Sequence, residues 1–201
     1  MTSANAYEAD ADEIIEKAIR YRSYWKEDGG ITVSGGEPLL QLDFLVELFE
    51  KTKKLGINNC LDTSGNPFTY DEPFFEKFEK LMNLTDIVLL DIKHIDCAEH
   101  TKLTGHTNEN ILAMARYLSD IKKPVWIRYV LVPGINDSDE YLNRLYDFIS
   151  TLSNVERVDV LPYHTYGVGK WDALGIPYQL EGVKTPSKEL VEHVKKMLHA
   201  E

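Results

Sequence analysis

Cysteine is nearly missing: the 201 residues hold two, Cys60 and Cys97. So few thiols exclude a disulfide framework, their wide spacing excludes a short metal-ligand pair, and both read as reduced thiols. Long apolar runs are missing too, none approaching the ~20 residues of a membrane span. The opening residues MTSANAYEADADE lack the basic start and apolar centre of a secretory leader. A cytoplasmic protein without membrane contact is the expectation. Basic charge is in deficit, 22 Lys and Arg against 33 Asp and Glu, for a net charge of −11. An acidic surface of this kind repels phosphates and anionic headgroups, which argues against nucleic acid as a partner. Low-complexity tracts and interdomain linkers are lacking as well. What remains, 43% hydrophobic and 27% charged residues, is the composition of a folded globular chain, long enough for one ordinary core.

The organisation lies in alternation. Ala11 to Lys26 carries Ile14, Ile15, Ala18, Ile19, Tyr21, Tyr24 and Trp25 at the three-four spacing of one helix face, with Gly29 and Gly30 as the stop. Ile31 to Ser34 reads as a strand running into Gly35, Gly36, Glu37 and Pro38, and Leu42 to Leu55 as a helix ended by Gly56. Strands are predicted again at Asn58–Asp62, Ile87–Lys93, Val125–Val132 and Val158–Tyr163. Helices are predicted at Glu72–Met82, Asn110–Ile121, Asp139–Thr151 and Pro186–His199, with Pro186 in the first turn. The near-continuous apolar runs IVLLDIK and VWIRYVLV suit strands covered on both faces. Strands alternating with helices imply parallel pairing through right-handed crossovers, hence an α/β sheet or barrel. Met82, Met114 and Met197 sit where a flexible side chain fills core gaps.

In parallel α/β folds ligands bind beyond the carboxyl ends of the strands. Here those ends read Ser34-Gly35-Gly36-Glu37, Asp62-Thr63, Asp91 with Lys93, Arg128, and Tyr163-His164. Carboxylates, an ammonium, a guanidinium, an imidazole and glycine backbone together suit a ligand with both an amine and a carboxylate. Alternatives stand for each. The glycines serve a positive-φ turn or a close approach of backbone to ligand. Glu37 faces a helix dipole or a ligand. Asp91 and Lys93 share a face at period two and form a structural ion pair or hold a ligand. Arg128, between bulky neighbours, needs a carboxylate from the protein or from the ligand. His164 is a satisfied strand-end histidine or a ligand contact.

The stretches ITVSGGEPLL, NNCLDTSG, IVLLDIKHI, VWIRYVLVPG and VDVLPYHTYG, in this order, with YRSYW upstream and GKWDALG downstream, resemble the pyruvate formate-lyase activating enzymes, which are radical S-adenosylmethionine proteins. The resemblance covers almost all of the chain after about residue 12. It implies a partial (β/α)6 barrel that uses a [4Fe-4S] cluster and S-adenosylmethionine to take a hydrogen from a glycine of a glycyl radical enzyme, most closely pyruvate formate-lyase. A small electron donor such as flavodoxin is implied as a second partner. It further implies that Gly36 and Glu37, next to Gly35, receive the methionyl ammonium and that Asp91, Ile92 and Lys93 line the pocket, with Lys93 facing the carboxylate. Arg128 and His164 match positions near the methionine and the adenine or ribose. Asp62, Thr63, Asp91 and the backbone of Leu89 match a monovalent-cation site, hard oxygens that suit such an ion.

One departure stands out. The family's cluster loop is CxxxCxxC after a first strand, and close thiolates are what hold such a cluster. Cys60 and Cys97 lie in other motifs, and ahead of Ala11 the sequence has only MTSANAYEAD. The expectation is therefore a single barrel domain over residues 11–201 lacking its first strand and cluster loop, with residues 1–10 a disordered or artificial terminus. Such a chain has no iron–sulfur ligands and is inactive in S-adenosylmethionine cleavage. Either an N-terminally shortened activating enzyme or a non-catalytic relative that still binds S-adenosylmethionine or the partner accounts for it.

Overall fold

The computed structural model describes residues 7–26, 29–166, 169, 175 and 177–200. Of the sequence motifs above, positions 1–6, 167 and 170–174 lie outside the described residues. The chain divides into two compact units, Met1–Thr63 with Thr69–Val88, and Ser64–Phe68 with Leu89–Glu201.

The first unit holds α1 (Ala11–Ile19), a 3-10 turn (Arg22–Tyr24), β1 (Gly30–Val33), a second 3-10 turn (Pro38–Gln41), α2 (Leu42–Lys54), β2 (Asn58–Thr63) and α3 (Phe74–Leu84). Strands β1 and β2 run parallel, with Gly30 opposite Asn58 and Val33 opposite Leu61. The strands come so close at that start that a Cβ on Gly30 would stand 2.0 Å from the Asn58 carbonyl oxygen, so no side chain fits there. The buried faces of α2 (Leu45, Leu48, Phe49) and α3 (Phe78, Leu81, Met82) make the core with Leu61 of β2. Truncating a fully buried phenylalanine of this set costs about 3–5 kcal/mol. Asn59, fully buried, joins three elements: its amide donates to Phe49 O (3.3 Å) and Leu84 O (2.9 Å), and its oxygen accepts the Thr52 hydroxyl at 2.6 Å.

Strand β3 (Ile87–Asp91) starts in the first unit and ends in the second, which continues with α4 (Cys97–Thr104), α5 (Glu109–Asp120), β4 (Val125–Leu131), α6 (Asp139–Ser150), β5 (Val155–Pro162) and α7 (Lys188–Met197). Strand order follows the sequence, β1-β2-β3-β4-β5. β4 and β5 are parallel, pairing Arg128 with Asp159. Ile127, Tyr129 and Leu131 are buried together with Leu90, Met114, Leu118, Leu142 and Leu145.

The structure corrects several expectations. β4 is not covered on both faces: burial alternates, leaving Trp126, Arg128 and Val130 half-buried, because this face carries charge. Helix α1 stops at Ile19 rather than Lys26, since Tyr21 and Tyr24 are 63% and 80% exposed and bury no helix face beyond that point. α3 begins at Phe74, because Pro73 supplies no N–H and stands outside the helix. Strand β3 ends at Asp91, although the Ile92 N–H still donates to Arg128 O at 3.0 Å. β5 begins three residues earlier, at Val155. α7 starts at Lys188, with Ser187 as its cap accepting the Leu190 N–H, so Pro186 lies before the helix. Helix α4 has no counterpart among the sequence expectations. Of its residues only His100 is buried, so no apolar stripe announces it; Asp96 caps it by accepting the Ala98 and Glu99 N–H groups, and Gly105 closes it at φ 82°.

Candidate functional site

In the first unit the candidate residues follow β1 and end β2. Gly35 and Gly36 both adopt positive φ, 87° and 54°, with open space where a Cβ would stand. Glycine is thus required for conformation rather than room, and the backbone stays accessible. Glu37 caps the 3-10 turn over Pro38–Gln41: its Oε1 accepts the Leu39 N–H at 3.0 Å and the Thr63 hydroxyl at 2.6 Å. The local capping role and the strand-end placement thus hold together, leaving a half-buried carboxylate at the carboxyl end of β1. Thr63 is buried and Asp62 half-buried at the end of β2.

In the second unit Asp91, Lys93 and Arg128 come together. Lys93 Nζ donates to Asp91 Oδ2 at 2.6 Å. Arg128 Nε stands 3.0 Å from Asp91 Oδ1, an ion contact by distance whose N–H is not aimed at the oxygen. The carboxylate expected for Arg128 is therefore found within the protein, and the period-two placement of Asp91 and Lys93 is confirmed. Both cations contact the one Asp91 carboxylate, and the Lys93 side chain is 31% exposed. Ile92 is fully buried, so any part it plays falls to its backbone. Leu89 is half-buried on β3. His164, just past β5, is exposed; its Nδ1 accepts the Tyr166 N–H at 3.4 Å, and the two rings lie 4.6 Å apart.

Three side chains missed by sequence reasoning hold the segment after β3. Asn136 donates to Lys93 O (3.0 Å), and Asn108 to His94 O (3.0 Å) and Ile95 O (2.8 Å). His94 contacts Ile135 O and accepts the Asp96 N–H. Burial holds the His94 and His100 imidazoles below the ordinary histidine range. Beyond β5, the Tyr163 and Tyr178 hydroxyls meet at 2.6 Å, and burial followed by that hydrogen bond pushes Tyr178 up to about 12. Sequence offered no signal for the asparagines beyond the turn residues around VPGIND.

These features define an α/β protein with parallel pairing whose polar chemistry gathers at strand ends. Residues 2–146 match the model of the radical SAM superfamily. The pyruvate formate-lyase-activating enzyme of Streptococcus mutans serotype c is 52% identical over all of this chain and 76% of its own length. That of Listeria monocytogenes serovar 1/2a is 48% identical over 95% of this chain and 77% of its own. The crystal structure of a domain of pyruvate-formate lyase-activating enzyme from Bacteroides vulgatus superposes with a TM-score of 0.68 at 26% identity, over 85% of this chain and 92% of that one. The chain belongs to the radical SAM superfamily and, within it, to the family of pyruvate formate-lyase-activating enzymes, which are radical-generating oxidoreductases.

The family implies S-adenosylmethionine and a [4Fe-4S] cluster. The first has polar groups to meet it within each unit: in the first the Glu37 carboxylate stands beside open glycine backbone, and in the second Lys93 and Arg128 both contact Asp91. The cluster does not fit the residues present. Cys60 is half-buried on β2 and Cys97 exposed at the start of α4, two thiols where the CxxxCxxC loop supplies three. Among the described residues no group of three or more His, Cys, Asp or Glu side chains is placed to hold a metal ion. No helix of the described residues is long and apolar enough to cross a membrane.

Proposed function

We propose that this chain is the S-adenosylmethionine-holding part of an activase that generates a glycyl radical on an enzyme of the pyruvate formate-lyase type. The observation that supports it most is the Asp91–Lys93–Arg128 cluster after β3 and on β4, which brings two cations to one carboxylate where the family resemblance expects the pocket. In this reading the turn at Gly35 presents the Gly36 backbone and the Glu37 carboxylate to the methionyl ammonium. Lys93 takes the carboxylate, and Arg128 and His164 serve the methionine and the adenine or ribose. Ile92 contributes backbone. Asp62, Thr63, the Leu89 carbonyl and Asp91 offer hard oxygens to a monovalent cation. S-adenosylmethionine, when bound, supplies the adenosyl group that accepts the glycine hydrogen. A small electron-donor protein such as flavodoxin is the second partner, and the setting is cytoplasmic.

A second reading, a non-catalytic module that holds S-adenosylmethionine or the partner enzyme, is favoured by the thiol count, since two cysteines leave the cleavage chemistry unsupported within these residues. Calorimetric titration with S-adenosylmethionine tests the binding common to the two readings. Saturable binding that weakens about tenfold in Glu37→Ala supports it, and a flat titration refutes it. Joining the CxxxCxxC segment of the Streptococcus mutans relative and reconstituting iron and sulfide separates the readings. Formation of 5′-deoxyadenosine supports the activase, and no product leaves the binding module.

A further inference from the structure

Lys93 carries much of the proposed ligand chemistry, yet it stands outside regular structure. β3 ends at Asp91, and α4 does not begin until Cys97. A lysine in an irregular segment has backbone freedom added to the rotamer freedom of its long side chain. Something must hold its main chain if its ammonium is to stay 2.6 Å from Asp91.

Asn136 is placed to do so. It is fully buried, and every polar atom of its amide is used. The two N–H groups on Nδ2 donate to Lys93 O at 3.0 Å and Val130 O at 2.9 Å, while Oδ1 accepts the Val132 N–H at 2.8 Å. This set fixes the amide orientation, because the flipped form would turn donors toward the Val132 N–H and an acceptor toward two carbonyls. The residue is itself anchored, its own carbonyl accepting the Tyr129 hydroxyl. Past the Ile92 N–H to Arg128 O bond, the amide bridges the segment after β3 to β4, as a further rung of the sheet would. Arg128 sits on the same stretch of β4, two residues before Val130.

We propose that Asn136 is a positioning residue: its side-chain amide fixes the Lys93 backbone relative to β4 and thereby holds the Lys93 ammonium in the Asp91–Arg128 cluster. This rests on the reading of Lys93 as a ligand-binding group only for its functional consequence; the placement itself is independent of any ligand.

The test is residue-resolved acetylation of lysines, read by mass spectrometry, on the wild type and Asn136→Ala. Lys53 is the internal control: its side chain is 35% exposed and paired with Asp86, a close match to Lys93 at 31% paired with Asp91, and it belongs to the other unit. The expected result is a rise of at least about threefold in the Lys93-to-Lys53 labelling ratio. An unchanged ratio, including one in which both lysines rise together, overturns the proposal. If Asn136→Ala does not fold, Asn136→Ser retains one donor and is expected to raise the ratio about twofold, with an unchanged ratio again overturning it. Calorimetry with S-adenosylmethionine adds the functional arm: Asn136→Ala is expected to weaken binding about fivefold in the wild-type background and to have no further effect in Lys93→Ala. Equal losses in both backgrounds overturn the link to Lys93. A wild type that binds no S-adenosylmethionine refutes the functional reading, while the labelling ratio still decides the role of Asn136.

Discussion

Replacing Asp91 by asparagine removes a negative charge that both Lys93 and Arg128 contact, while keeping nearly the same shape. At separations of 2.6 and 3.0 Å and an effective dielectric near 20, each contact carries a gross attraction of about 6 kcal/mol. Most of that is offset by the desolvation of three charged groups and by side-chain ordering. Removing one partner from a fully buried pair costs about 3–5 kcal/mol. Here the Asp91 side chain is 12% exposed but Arg128 is 24% and Lys93 31%, so water relieves part of the repulsion left behind. About 2 kcal/mol is expected for Asp91→Asn, which for a chain of this size lowers Tm by roughly 4–8 °C. Thermal unfolding followed by circular dichroism measures it. The double variant Asp91→Asn with Lys93→Met should lose about 1 kcal/mol less than the sum of the single losses, because the lysine that loses its carboxylate is removed with it. An Asp91→Asn midpoint within about 1 °C of wild type, or strict additivity in the double variant, refutes the claim that this carboxylate stabilises Lys93 and Arg128.

The other predictions concern the glycine loop, the buried histidines and the sheet edge. Glu37→Ala removes both the cap on Leu39 and the acceptor for Thr63, costing about 1–2 kcal/mol in urea unfolding. Glu37→Gln keeps an oxygen for both donors and should retain stability to within about 0.5 kcal/mol while losing S-adenosylmethionine affinity; equal damage from the two substitutions contradicts a separate role for the charge. Gly36→Ala meets no atom and strains only the backbone at φ 54°, so it should cost about 1 kcal/mol, and a loss above about 3 kcal/mol contradicts the open space described. Because folding lowers the affinity of His94 and His100 for protons, the unfolded chain binds more protons below about pH 6.5. Their contribution to stability is complete above that value and declines as the pH falls toward their depressed values. Urea midpoints that do not decline between about pH 6.5 and 5 contradict it. β1 ends the strand order, so its outer backbone edge has no strand neighbour among the described residues. Self-association on size-exclusion chromatography is expected, and a cooperative monomer contradicts it.

Much of the fold was legible because burial leaves a periodic trace. The three-four spacing of Leu42, Leu45, Leu48 and Phe49 marks α2, and all four are buried in the core. The alternation of β4 was harder to see, because Trp126 and Val130 are apolar residues on the half-buried face. α4 left no trace at all, since its ends are made by Asp96 and Gly105 rather than by an apolar face. The candidate site was legible for a different reason: strand ends expose the chain, so polar residues and glycines collect there and stand out against apolar strands.

The amino-acid sequence by itself determined the α/β alternation, the glycine pair after the first strand, the family and the shortage of thiols, all of them properties of residue type and order along the chain. Only the tertiary structure decided which carboxylate answers Arg128, that Glu37 is at once a cap and a strand-end anion, and that Asn136 reaches Lys93. Those pairings join residues distant in sequence through angles and distances of a few ångströms, and hydrogen bonds and ion pairs depend on that geometry in a way that composition and spacing do not record.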